Sequence, residues 1–160
     1  MINPEVISAC AKLLIGKGLT IAFAESATAG RICADFALAE HAGQFLKGGL
    51  ICYDATLKME LLKVKPSHIE LFSPESAMVT RAITEGLVTL IPADIHLGCT
   101  GLTCPGGSET EQKPVGTMFL YATLKGRLLF NHKCFFEGSP EEIVAKTVEK
   151  TASLLIAHLR

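Results

Sequence analysis

The stretch Thr100-Gly101-Leu102-Thr103-Cys104-Pro105-Gly106-Gly107-Ser108-Glu109, closed by Lys113-Pro114-Val115-Gly116-Thr117, packs glycine and proline between two apolar runs. Such a loop suits the holding of a ligand. Glycines let backbone N–H groups come close to a bound group, and successive N–H groups form concavities that accept phosphate or a developing oxyanion. A solvated Pro/Gly turn has the same composition, so the loop by itself leaves both readings open.

Other reactive side chains fall into no familiar pattern. The six cysteines, Cys10, Cys33, Cys52, Cys99, Cys104 and Cys134, lie mostly in apolar segments without C-x-x-C spacing. That suits small reduced core residues better than a disulfide frame or a zinc site, with Cys104 in the loop the one to watch as a free thiol. His41, His68, His96, His132 and His158 are scattered, with no H-E-x-x-H, so neither a metal nor a cofactor is expected.

The elements that must position these groups follow from periodicity and punctuation. Asn3-Pro4 signals a helix start, and Val6, Ile7, Cys10, Leu13 and Leu14 recur at helical spacing until Gly16 and Gly18. Residues 19–24 read as a buried strand ending at Glu25-Ser26, and residues 28–39 as a helix, which puts Ser26 at a strand-to-helix junction. Gly48-Gly49 precedes a strand over 50–53, after which Asp54 caps a short helix carrying Lys58 one turn in. Pro66 breaks the pattern. Ser73-Pro74-Glu75 opens a helix to about residue 91, and residues 95–99 form a strand that runs into the glycine loop.

Residues 115–124 and 128–135 predict a hairpin around Lys125-Gly126-Arg127. Ser139-Pro140-Glu141-Glu142 opens a long closing helix with a capping box. The order implies a single α/β domain over residues 1–160, a two- or three-layer sandwich with a mixed sheet. Ligands in such sheets bind beyond the carboxyl ends of strands, where Ser26, Tyr53 and Thr100 all fall.

Composition narrows the partners. The chain has 160 residues, 49% of them hydrophobic, and a net charge of −1 with both signs interspersed. No bulk field draws nucleic acid or an anionic membrane. The first residues lack a basic leader, and no apolar run nears the roughly 20 residues of a bilayer crossing, so a cytoplasmic location is expected.

Three blocks carry a resemblance. Ala24-Glu25-Ser26-Ala27-Thr28-Ala29-Gly30 resembles A-E-S-C-T-G-G, Tyr53 through Lys58 with Leu61-Leu62 resembles T-Y-S-N-x-A-K…L-L-G-V, and the glycine loop resembles T-G-I-A-G-P-G-G…K-P-V-G-T. In this order and spacing they resemble the C-terminal domain of the CinA family, whose active members are nicotinamide-nucleotide amidohydrolases. The resemblance implies metal-independent hydrolysis of nicotinamide mononucleotide to nicotinate mononucleotide and ammonia, in a stand-alone form of the domain.

It also implies roles. Ser26 is the expected nucleophile, Lys58 the base or proton shuttle, Tyr53 a relay between them, and Thr100 with the Gly101 N–H the group that orients the amide or its oxyanion. Glu25, Thr28, Gly30, Gly101, Gly106, Gly107, Ser108 and Lys113 are expected on the substrate-binding side, the loop members nearest the nucleotide phosphate. A homo-oligomer, a dimer first, is expected.

Ala27, Ala29, Ala55 and Cys104 depart from the family's residues at their positions. They motivate an alternative, a catalytically silent nucleotide-binding paralogue serving as an interaction or regulatory module.

Overall fold

Local signals start each element of the computed structural model, which describes residues 2–160. Helix α1 (Pro4–Lys17) begins where the Asn3 side chain accepts from the Glu5 N–H, and ends at Gly18 in the left-handed region at φ 65°. The last helix, α6 (Pro140–Leu159), has the expected capping box between Ser139 and Glu142. Between them run β1 (Ile21–Glu25), α2 (Arg31–Ala37), β2 (Leu46–Ile51), α3 (Ala55–Glu60), α4 (Pro66–Phe72), α5 (Ala77–Leu90), β3 (Ile95–Gly101), β4 (Thr117–Leu124) and β5 (Arg127–Phe135).

The five strands form one mixed sheet in the order β2-β1-β3-β4-β5. β1 is parallel to β2 and β3, while β3–β4 and the β4–β5 hairpin are antiparallel. Alternation along the strands divides the core in two. Ile21, Phe23, Leu97, Cys99, Met118 and Leu120 pack with residues of α1, α2 and α6, whereas Ala22 and Ala24 pack with Val79, Ile83 and Leu87 of α5. Three layers result. Phe23 meets Phe36 of α2 edge-on at 5.2 Å between ring centroids, a contact worth ~0.5–1.5 kcal/mol beyond burial.

The structure revises four boundaries. The helix expected to open at Ser73-Pro74-Glu75 starts at Ala77, capped by the Ser76 hydroxyl, because Ser73 at φ 70° closes α4 instead. Pro66 does not merely break a pattern but occupies the first turn of α4, where its missing N–H costs nothing. Gly48 and Gly49 lie inside β2, not before it. A Cβ on Gly49 would stand 3.0 Å from the Phe23 carbonyl oxygen, so the close approach of β2 to β1 explains a glycine there. Finally, α2 starts at Arg31, because residues 26–30 form a turn with Ala29 at φ 48° and Gly30 at φ 95°.

Candidate active site

The site is assembled at the carboxyl ends of β1 and β3 and the loop after β2. The Ser26 N–H donates to the Cys99 carbonyl at 3.0 Å and the Cys52 N–H to the Glu25 carbonyl at 2.8 Å, which fixes the three chain segments side by side. Asp54 caps α3 by accepting from the Thr56 N–H at 2.7 Å. That cap aims the first turn of α3 so that Lys58 reaches back beneath β1.

Lys58 is buried, 1% exposed, and its amine touches three oxygens. Its Nζ lies 2.9 Å from Ser26 Oγ, 2.8 Å from the Cys52 carbonyl and 3.1 Å from the Tyr53 carbonyl. Carbonyl oxygens only accept, so they take two N–H bonds. As an ammonium the third N–H donates to Ser26 Oγ; once the amine is neutral, with two N–H groups on the carbonyls, its lone pair is left for the serine hydroxyl. Burial lowers the Lys58 pKa from the usual lysine value, opposed by the charges of Cys52, Glu75 and Asp54. The contact has the distance and burial that proton exchange between a serine hydroxyl and an amine requires.

Ser26 opens onto a cavity of about 230 Å³ whose walls include Ala27, Tyr53, Glu75, Gly101 and Gly107. Among the described residues the Ala27 N–H donates to no protein acceptor, which leaves it available beside the hydroxyl. Gly101 is confined on its other side. A Cβ there would lie 2.7 Å from the Thr117 carbonyl oxygen, so the β3 backbone can approach β4 only as glycine.

The other expected residues divide into those at this cavity and those turned elsewhere. The Tyr53 phenol does not stand between Lys58 and Ser26, which are in direct contact; Tyr53 enters through its carbonyl, and its side chain is 60% exposed at the cavity. Thr100 is fully buried, and its hydroxyl pairs with that of Thr80 on α5 at 2.8 Å. That side chain braces β3 against α5 and does not line the cavity.

Glu25 is buried with its carboxylate on α2. It accepts from the Thr28 hydroxyl at 2.6 Å and from the Ile32 and Cys33 N–H groups at 2.9 Å each, so Glu25 and Thr28 hold the turn and the start of α2. Gly30 supplies the left-handed residue before that helix. All three support Ser26 from behind.

In the glycine loop, the Gly106 and Gly107 N–H groups both point at one carboxylate. Glu109 Oε1 and Oε2 accept from them at 2.9 Å each. Ser108 donates to Glu75 Oε2, and Lys113 Nζ donates to Ser108 Oγ at 2.9 Å and to the Glu75 carbonyl at 2.7 Å. These bonds tie the loop to the entry of α5. Glu75 was hidden in the sequence because Ser-Pro-Glu reads as a helix start, and only the fold shows it lining the same cavity as Ser26. Among the described residues no three His, Cys, Asp or Glu side chains gather as metal ligands would. Among the described residues no helix is long and apolar enough to cross a membrane.

Ser26 at the end of β1 meets Lys58 of α3 beside a glycine loop, in a three-layer mixed-sheet sandwich whose fold recurs in solved structures. A CinA superfamily protein from Klebsiella pneumoniae superposes with a TM-score of 0.91 at 26% identity, over 98% of this chain and 96% of that one. One from Escherichia coli gives 0.88 at 27% identity, over 96% and 88%. The model of the CinA C-terminal domain matches residues 4–159, and the chain belongs to that family.

A CinA-like protein of Dictyoglomus thermophilum is 35% identical over 118 residues, 74% of this chain and 28% of that protein. Another from Gloeobacter violaceus is 36% identical over 113 residues, 71% and 26% respectively. The chain spans about a third or less of the length of the curated relatives it matches.

Proposed function

We propose that the chain is a metal-independent amidohydrolase that converts nicotinamide mononucleotide to nicotinate mononucleotide and ammonia. The observation that carries this reading is the buried contact of 2.9 Å between Lys58 Nζ and Ser26 Oγ, with both other amine positions committed to carbonyls. The Ser26 oxygen attacks the carboxamide carbon as Lys58 takes its proton. The Ala27 N–H is aimed at the oxygen that becomes negative. Collapse of the tetrahedral adduct breaks the C–N bond, and the Lys58 proton leaves with the nitrogen as ammonia. Water then attacks the Ser26 ester, with Lys58 accepting its proton and returning one to the serine.

The ring and ribose occupy the cavity, with the phosphate displacing the Glu109 carboxylate from the Gly106 and Gly107 N–H groups that now hold it. Among the residues that differ from the family pattern, Ala27 serves through its main chain and Ala29 lies in the turn behind it, so neither removes a reacting group. The test is ammonia release from nicotinamide mononucleotide by the purified chain and by Ser26→Ala. Release by the former alone supports the reading. Equal release by both, or none by either, refutes it; nucleotide binding without release would favour the silent paralogue.

A further inference from the structure

Glu75 bears the one formally charged side chain among those lining the cavity beside Ser26. It is half-buried at the entry to α5, and its Oε2 accepts from the Ser108 hydroxyl. The nearest cation on that side, Lys113, does not line the cavity. Its three N–H groups go to Ser73 Oγ, Ser108 Oγ and the Glu75 main-chain carbonyl, not to the carboxylate. Lys58, the other amine in reach, is desolvated and bonded to carbonyls. Lys113 keeps its charge behind Ser108, so among the described residues the Glu75 carboxylate is the charge that a ligand meets directly in a cavity otherwise walled by neutral groups.

A negative charge there discriminates between ligands of one shape. A cation is attracted, while a neutral ligand of the same outline gains nothing. The exposed Tyr53 also lines the cavity, and aromatic faces favour cations.

We propose that Glu75 makes this cavity selective for carboxamides borne on a cationic aromatic ring, with the Tyr53 ring as a second contact. The proposal rests on the amidohydrolase reading for its carboxamide, and on the cavity alone for its charge preference. Within the reaction, the same charge stabilises Lys58 as it becomes an ammonium, so Glu75 serves both ring recognition and proton transfer.

The test is calorimetric binding of two small amides of matched shape, 1-methylnicotinamide, which is a cation, and 3-methylbenzamide, which is neutral. The intact chain, Glu75→Gln and Glu75→Asp are compared, with circular dichroism confirming that each is folded. The expected result is a preference for the cation of about tenfold or more in the parent, retained in sense by Glu75→Asp and reduced below about threefold in Glu75→Gln with the neutral affinity unchanged. A parent that binds the cation no better than the neutral amide, or not at all, overturns the proposal. So does a Glu75→Gln protein that keeps the preference. These readouts need no turnover, so failure of the amidohydrolase reading shows separately, as absent ammonia release by the parent.

Discussion

Glu25 and Ser26 leave the end of β1 toward opposite faces of the sheet: the carboxylate accepts three hydrogen bonds at the start of α2, while the hydroxyl meets Lys58 under the other layer. Strand alternation makes this division, and it sets the nucleophile on a rigid base. Glu25→Ala strips the Thr28, Ile32 and Cys33 donors of their acceptor. It is expected to destabilise the chain by ~1–3 kcal/mol in urea unfolding. An unchanged midpoint and slope would show that α2 is held without it.

Tyr53→Phe isolates the phenol from the carbonyl. Because the amine contacts the main chain of Tyr53, removing the hydroxyl is expected to alter kcat by less than about threefold, far short of the ~100-fold or more typical of a lost acid–base group. A loss of the larger size would restore the relay role expected from the resemblance.

Ala29 occupies the left-handed region at φ 48°, next to Gly30. For a residue with a Cβ that conformation costs ~1 kcal/mol, and part of the gain from glycine is returned as unfolded-chain entropy. Ala29→Gly is therefore expected to raise the unfolding free energy modestly, read as a higher urea midpoint, with the Ser26 turn unaltered. A lower midpoint would contradict the strain.

Gly86 lies within α5, where alanine ordinarily stabilises by ~1 kcal/mol. Here a Cβ would fall 2.1 Å from the Leu62 carbonyl oxygen, main chain that cannot rotate away. Gly86→Ala is expected to invert the usual sign and destabilise by ~1–3 kcal/mol, as overpacking does. Thermal unfolding distinguishes the two signs.

These relationships mark how far the sequence was legible. The strand ends carrying Ser26 and Thr100 were readable because apolar runs and glycine stops bound them, as were the Asn3, Asp54 and Ser139 caps. The three blocks pointed to Ser26 and Lys58, which do meet. What stayed hidden depends on which face a side chain takes and on partners distant along the chain. Thr100 sits at the expected strand end but faces α5, and Lys113 is bound to Ser108 and the Glu75 main chain. No local pattern reports that the Gly106 and Gly107 donors are already filled by Glu109, or that Glu75 lines the nucleophile's cavity.

Lys58 also links stability to pH. Its pKa is lowered in the folded chain, so between that value and the usual lysine value the unfolded chain binds more protons than the folded one. Unfolding free energy should accordingly rise with pH across that window as the buried amine's penalty is relieved. Lys58→Met should lack this component of the rise, and parallel pH profiles of the two proteins would contradict it.

Transfer of the Ser26 proton to a neutral Lys58 is the central step of the proposed reaction, and the pH dependence of kcat/KM for nicotinamide mononucleotide tests it directly. The expected profile climbs with pH as one group deprotonates and levels off below the usual lysine value, with Lys58→Arg inactive throughout. A plateau reached only at the ordinary lysine value, a rate that falls as pH rises through this range, or an active Lys58→Arg protein would contradict it.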